Sequence, residues 1–188
     1  MTVGFALCGS FCTFSTVFPI MEELTRQHQV IPIFSFNAAS IDSRFGKVTD
    51  FLDRAENICG TKPILSIAEA EPIGPKKMLD ALVIAPCTGN TLAKLAHSIA
   101  DTPVTMAAKS HLRNGRPVLV AVSTNDALAG AAENIGKLLS RKHYYFVPFR
   151  QDDAAGKPTS MVADFTKIPP ALDAALEERQ LQPIILYK

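Results

Sequence analysis

Two hydrophobic rhythms alternate along this chain. Short runs are apolar at nearly every position, and longer stretches return an apolar residue every three or four positions. Thr2–Cys8, Val30–Phe36, Ala81–Ala85 (ALVIA) and Pro117–Val122 (PVLVAV) are of the first kind, with Tyr144–Val147 a shorter example. Such runs suit strands covered by helices on both faces. Ile64–Ile67 reads as a further short strand. The helical rhythm begins with Phe14, Val17, Phe18, Met21 and Leu24. Pro19 falls inside that stretch, so the helix either begins near Ser15 or Thr16, or begins earlier and bends. Val48–Cys59 is the cleanest amphipathic stretch, with Gly60 as its stop. Leu92, Leu95, Ala96 and Ile99 mark another helix, capped by Asn90 or Thr91. Val104–Arg113, Ala127–Leu139 and Ala171–Glu178 complete the set.

Strands alternating with helices from end to end predict an α/β fold: a doubly wound, mostly parallel sheet in three α/β/α layers. No linker or repeat divides residues 1–188, so one domain is expected. Gln151–Ser160 (QDDAAGKPTS) is the one extended loop, a solvated connection or a lid.

Composition narrows the function classes. Hydrophobic residues make up 47% and charged residues 20%, a globular balance. A net charge of +1 is too small to suggest binding to nucleic acid or a membrane surface. No apolar stretch reaches membrane-spanning length, and the N-terminus lacks a basic leader, so a cytoplasmic protein is expected. The spacing of Cys8, Cys12, Cys59 and Cys87 fits no zinc pattern. They read as buried or incidental thiols, with Cys87 set apart by the loop it occupies.

In open parallel sheets, ligands bind beyond the carboxyl ends of the strands. The segments there are Gly9-Ser10-Phe11-Cys12-Thr13, Asn37–Ser40, Pro86-Cys87-Thr88-Gly89-Asn90-Thr91 and Ser123-Thr124-Asn125-Asp126. All are rich in small hydroxyl and amide side chains, which with helix-start N–H groups make a neutral cradle for phosphate. Neither G-x-G-x-x-G nor the P-loop signature is present. Pro86–Thr91 is the most informative: a stiff entry, then closely spaced backbone amides. The same residues would equally build a plain capped helix. His28, His97, His111 and His143 stand apart, nothing pairs a nucleophile with a base, and no carboxylates cluster as a metal site. These groups suit binding better than chemistry, which leaves the hard step to a cofactor.

Ala85–Thr105 (APCTGNTLAKLAHSIADTPVT) resembles the "PASANT" segment of the flavoprotein family that includes phosphopantothenoylcysteine decarboxylase, the lantibiotic cysteine decarboxylases and the flavin prenyltransferases. Gly4–Ser15 resembles that family's N-terminal phosphate loop, and Arg116–Leu128 its later strand and flavin-side loop. The resemblance implies a flavodoxin-like sheet that holds flavin mononucleotide (FMN) at the strand ends. By motif match, Ser10, Thr88 and Asn90 or Thr91 would contact the phosphate, with Gly9, Phe11 and Pro86 in the same loops. Ser123, Thr124 and Asn125 would flank the isoalloxazine, and Ser40 or a neighbour would complete the site. A homo-oligomer is expected by analogy.

Gly156–Leu186 resembles the tail of one branch, the flavoprotein-like subunit of a two-subunit synthase of sporulation. That branch implies an oxidation to an aromatic dicarboxylate, a Rossmann-type partner subunit, and NAD(P) carried by that partner. The family's cysteine decarboxylases carry a catalytic histidine before the PASANT strand, whereas Thr61–Lys77 has none and places Pro63 or a neighbour there. This argues against cysteine decarboxylation. A decarboxylase or prenyltransferase-type enzyme remains an alternative through the family resemblance, and Cys87 and Gly89 in the key loop leave room for a non-catalytic scaffold.

Overall fold

The computed structural model describes residues 1–187. Strands β1 (Thr2–Leu7), β2 (Gln29–Phe34), β3 (Ala81–Cys87) and β4 (Val118–Thr124) form a parallel sheet in the order β2-β1-β3-β4. The edge of β4 is shared. Its first half pairs in parallel with β5 (Tyr144–Phe146), and its last residues pair antiparallel with β7 (Met161–Ala163). β7 in turn pairs with β6 (Phe149–Arg150). The fold is therefore a mixed, mostly parallel flavodoxin-like sheet, as the alternating pattern predicts.

Helices cover both faces. α1 (Phe14–Thr25) follows a single 3-10 turn at Phe11–Thr13, and α2 (Phe36–Ser40) is one short turn after β2. α3 (Val48–Cys59) packs on α1. α4 (Ile67–Ala70), α5 (Gly89–Ala96), α6 (Pro103–Leu112) and α7 (Ala132–Leu139) lie together, and α8 (Ile168–Leu176) returns beside α1. No helix of the described residues is long and apolar enough to cross a membrane.

Burial explains the strands. β3 is buried at every position and β4 at all but Thr124, so their unbroken apolar runs are cores seen from two sides. α1 begins at Phe14 and runs through Pro19. Pro19 and Ser15 both lie on the solvent face, where a carbonyl that loses its helical partner costs least. Phe14, Phe18 and Phe51 interlock, with Phe14–Phe18 and Phe14–Phe51 edge-on at 5.8 and 4.9 Å. Each such pair contributes about 1 kcal/mol beyond its buried area.

Three local expectations change. Ile64 makes only an isolated bridge to Ile33, and the chain then turns into α4 through a capping box between Ser66 and Glu69. Those local hydrogen bonds outcompete strand extension. The stretch from Ala127 is turn-forming until α7 starts at Ala132, because Ala129 and Ala131 both donate to the Asp126 carbonyl. At α5 the cap is Thr88, not Asn90 or Thr91. Its hydroxyl accepts from the Thr91 amide, which places Asn90 and Thr91 inside the helix.

The amino ends of the strands are latched by buried and paired groups. The Asp80 carboxylate accepts from the Thr2 amide at 2.8 Å and lies 3.3 Å from the Arg116 guanidinium, which also donates to the Leu79 carbonyl. His111 is fully buried beside Pro117, its Nε2 3.1 Å from that carbonyl. Gly74 fits there because a Cβ would sit 2.5 Å from the Ser110 carbonyl oxygen.

Candidate functional site

The carboxyl ends of β1, β3 and β4 open into two adjoining cavities. The larger, about 440 Å³, is walled by Gly9–Thr13, Thr88 and Ser123–Asn125, and by residues beyond them. The smaller, about 310 Å³, lies between Gly9, the start of α2 and the start of α5, and is lined by Thr88, Asn90 and Thr91. Gly9 and Thr88 border both. The sizes fall within the usual range for ligand pockets.

Hydroxyls stitch the loops together. Ser10 Oγ and Ser123 Oγ are 2.8 Å apart, joining the loops after β1 and β4. Thr88 Oγ1 lies 3.2 Å from Thr91 Oγ1, which donates to the buried Cys8 thiol at 3.3 Å. Gly89 stands where the loops after β3 and β4 approach most closely: a Cβ there would lie 2.7 Å from Asp126 Oδ1 and 2.9 Å from Thr124 Oγ1. Thr124 donates in turn to Asp126. Pro86 marks the point where the β3–β4 register shifts between Ile84 and Cys87. Lacking an N–H, it suits that irregularity.

Two expected residues line neither cavity. Pro86 is buried within β3 and shapes the loop from beneath. Ser40 is turned away because its segment is the helix α2 rather than a loop, and its hydroxyl donates to the Phe36 carbonyl at 2.7 Å. Ser35 and Asn37, one turn earlier, line the smaller cavity instead, and Ser35 caps α2 by accepting from the Ala38 amide. The signal for Ser35 is a hydroxyl directly after an apolar run, shared with Thr88 after β3.

Other lining residues carry no motif. Met161 and Val162 reach the larger cavity because β7 pairs with Ser123 and Thr124. Phe45 is 47% exposed and lines the same cavity from a turn closed by reciprocal Ser43–Gly46 backbone bonds. The loop 151–160 contributes Asp152, Lys157 and Ser160, with Lys157 Nζ 3.4 Å from the Asp152 carboxylate. It is tied to the β4 loop where Thr159 donates to the Asn125 carbonyl at 2.7 Å.

The electrostatics are those of a holder. Burial pushes the Cys8 thiol up to about 11 and the Cys87 thiol well above its ordinary value, so neither is a ready thiolate. Cys87 is wholly buried despite its place in the loop. No histidine lines either cavity, and no group of three or more metal-ligating side chains exists among the described residues. The smaller cavity has no carboxylate in its lining. The first amides of α5 lack carbonyl partners within the helix, as helix starts do. Such a lining of hydroxyls and amides fits a phosphate, while Lys94 at its edge is held by the Asp101 carboxylate at 2.7 Å. The larger cavity adds apolar walls from Phe11, Phe45, Met161 and Val162, which fit a flat ring system.

The Flavoprotein family model matches residues 1–167. This chain belongs to the Flavoprotein family. Among its members the chain is similar to the dipicolinate synthase B subunit of Bacillus subtilis (strain 168), with 46% identity over 98% of this chain and 92% of that protein. The crystal structure of the dipicolinate synthase B subunit from Bacillus halodurans superposes with a TM-score of 0.91 at 42% identity, covering 100% of this chain and 96% of that one. The FMN-dependent cysteine decarboxylase SpaF shares the fold, with a TM-score of 0.68 at 21% identity over 95% of this chain and 96% of its own. Family membership thus agrees with the resemblance read from Ala85–Thr105.

Proposed function

We propose that this chain is the flavin-holding subunit of a two-subunit dipicolinate synthase. It would act as one domain over residues 1–188. With a separate nicotinamide-binding A subunit, it would form pyridine-2,6-dicarboxylate from a dihydrodipicolinate-pathway precursor during sporulation. The observation that carries the reading is the paired cavity at the strand ends: a cradle of hydroxyls and amides beside an apolar-walled space, whose charged residues Asp152 and Lys157 are paired with each other. The 46% identity to a dipicolinate synthase B subunit supports the substrate and the partner.

In this reading the smaller cavity takes the FMN phosphate. Thr88 fixes the start of α5, and the helix-start amides meet the dianion with Asn90 and Thr91 beside them. Ser10 and Ser123 hold the mouth of the larger cavity in register through their mutual hydrogen bond. Thr124 and Asn125 flank the ring, and Phe11 and Phe45 keep water from it. FMN, when bound, supplies a two-electron acceptor for oxidation of the ring to its aromatic form, and NAD(P) on the A subunit would receive the reducing equivalents. Loop 151–160 acts as a lid, with Lys157 available to a substrate carboxylate once it leaves Asp152. The absence of histidine from Thr61–Lys77 favours this work over cysteine decarboxylation.

Two measurements test the reading. The purified protein, mixed with FMN and desalted, is expected to keep a flavin absorption band near equimolar amount. The A subunit on its own is expected to form dipicolinate more slowly than the pair. A protein that stays colourless after FMN addition overturns the cofactor assignment and favours a scaffold. An unchanged rate without this chain overturns the synthase role.

A further inference from the structure

A second kind of cavity, about 420 Å³, opens where the C-terminal ends of α5 and α6 meet the turn before β5. Its apolar lining is Leu95, Leu112 and Tyr144, with the exposed Ile99 beside them. Its rim carries Lys109, Arg113, Arg141, Lys142 and His143, and no carboxylate lines it. The whole chain has a net charge of only +1, so this local excess is a concentration rather than a sample of the surface.

Helix ends account for part of it. Each helix C-terminus carries about half a negative charge. The end of α5 is answered by Arg141, whose guanidinium donates to the Leu95 and Ala96 carbonyls at 3.1 and 2.7 Å. The end of α6 calls for roughly half a positive charge, yet Lys109, Arg113 and Lys142 take part in none of the ion pairs among the described residues. About two and a half positive charges are therefore uncompensated around a concave, apolar lining, which focuses their field into the cavity. Two rim residues also hold left-handed backbone, Ser98 at φ 59° and His143 at φ 68°. That conformation costs a residue with a Cβ about 1–2 kcal/mol.

We propose that this cavity binds a small anion with an apolar body, a carboxylate or phosphate joined to an aromatic or aliphatic group. Lys109, Arg113 and Lys142 meet the anion, and Leu95, Leu112 and Tyr144 pack the body. Tyr144 is largely buried in this wall, and that burial pushes its phenol up to about 12. The cavity shares no lining residue with the flavin cradle, so its occupancy does not depend on the proposed cofactor.

Calorimetric titration of the full chain, loaded with FMN and freed of the excess by desalting, tests this with phenyl phosphate and benzoate as separate probes. One of them is expected to saturate at one per chain, with affinity that weakens as salt is raised. The stronger probe identifies the anionic group. Inorganic phosphate and phenol, each half of a probe, are expected to bind at least about tenfold more weakly. The Arg113→Ala/Lys142→Ala variant alters exposed side chains only and is expected to keep its melting temperature while losing about tenfold in affinity. Failure of both aromatic anions to bind, wild-type affinity in the double variant, or equal binding of inorganic phosphate and phenyl phosphate would each overturn the proposal.

Discussion

The two ends of the sheet are built on opposite plans. At the carboxyl ends the side chains are small, hydroxyl-bearing and reachable: Ser10, Thr88, Ser123 and Thr124 line open space and bond mainly to one another or to loop neighbours. At the amino ends the groups are buried or already committed, as with His111, Gly74, and Asp80 beside Arg116. The first end gives up packing for polar groups that a ligand can use. The second fixes where β1, β3 and β4 begin and leaves little within reach of a ligand. Changes at the amino ends should therefore cost stability without touching flavin affinity, and changes at the carboxyl ends the reverse.

The largest expected effect is on acid stability. Desolvation lowers the His111 pKa to about 4 from an unfolded value of 6.5. Between those values the unfolded chain binds the proton and the folded chain does not, so stability falls as pH drops from 6.5 to about 4 and levels off below. The shift corresponds to about 3 kcal/mol. Urea unfolding across that window should show the loss, and His111→Gln, which keeps a donor for the Pro117 carbonyl, should lack it. A parallel fall in both proteins would assign the acid sensitivity elsewhere.

Next comes Gly74→Ala. The new methyl meets backbone rather than a movable side chain, so a loss of about 2 kcal/mol is expected, with FMN affinity unchanged. A drop in flavin binding at equal fold would break the separation between the two ends.

The carboxyl ends offer the mirror test. Ser10→Ala and Ser123→Ala should each weaken FMN binding about tenfold, as loss of a polar contact near a charged ligand does, with little change in melting temperature. Wild-type affinity in both would remove this pair from the cradle. Thr88→Ala is the smallest and the most diagnostic. Loss of the α5 cap should cost about 1 kcal/mol and also weaken FMN a few-fold, because one hydroxyl serves both plans.

Much of this is legible in the chain. β3 and β4 can be read because buried strands leave unbroken apolar runs, and the loops after them follow from the parallel order. Thr88 is hidden as the cap because Asn90 and Thr91 also have capping side chains, and only the start of α5 in the fold decides among them. Ser40 falls outside the site because one extra turn of helix after β2 rotates it outward and brings Ser35 and Asn37 to the cavity. β6 and β7 have two and three residues, too few for any periodicity, so the wall they give the larger cavity has no signal. Phe45 is hidden for a related reason: an exposed aromatic in a polar turn shows its use only once the opposing wall is present.

The loop at 151–160 has a consequence for engineering. Both of its stems belong to one antiparallel pair, β6 with β7, and β7 is anchored in turn on β4, so its two ends are fixed close together. Chain inserted at its exposed tip, near Ala154 and Ala155, adds little closure entropy, since doubling such a loop costs only about 0.6 kcal/mol. A fluorescent or cleavable insert placed there would report from the rim of the larger cavity while the sheet beneath stays intact.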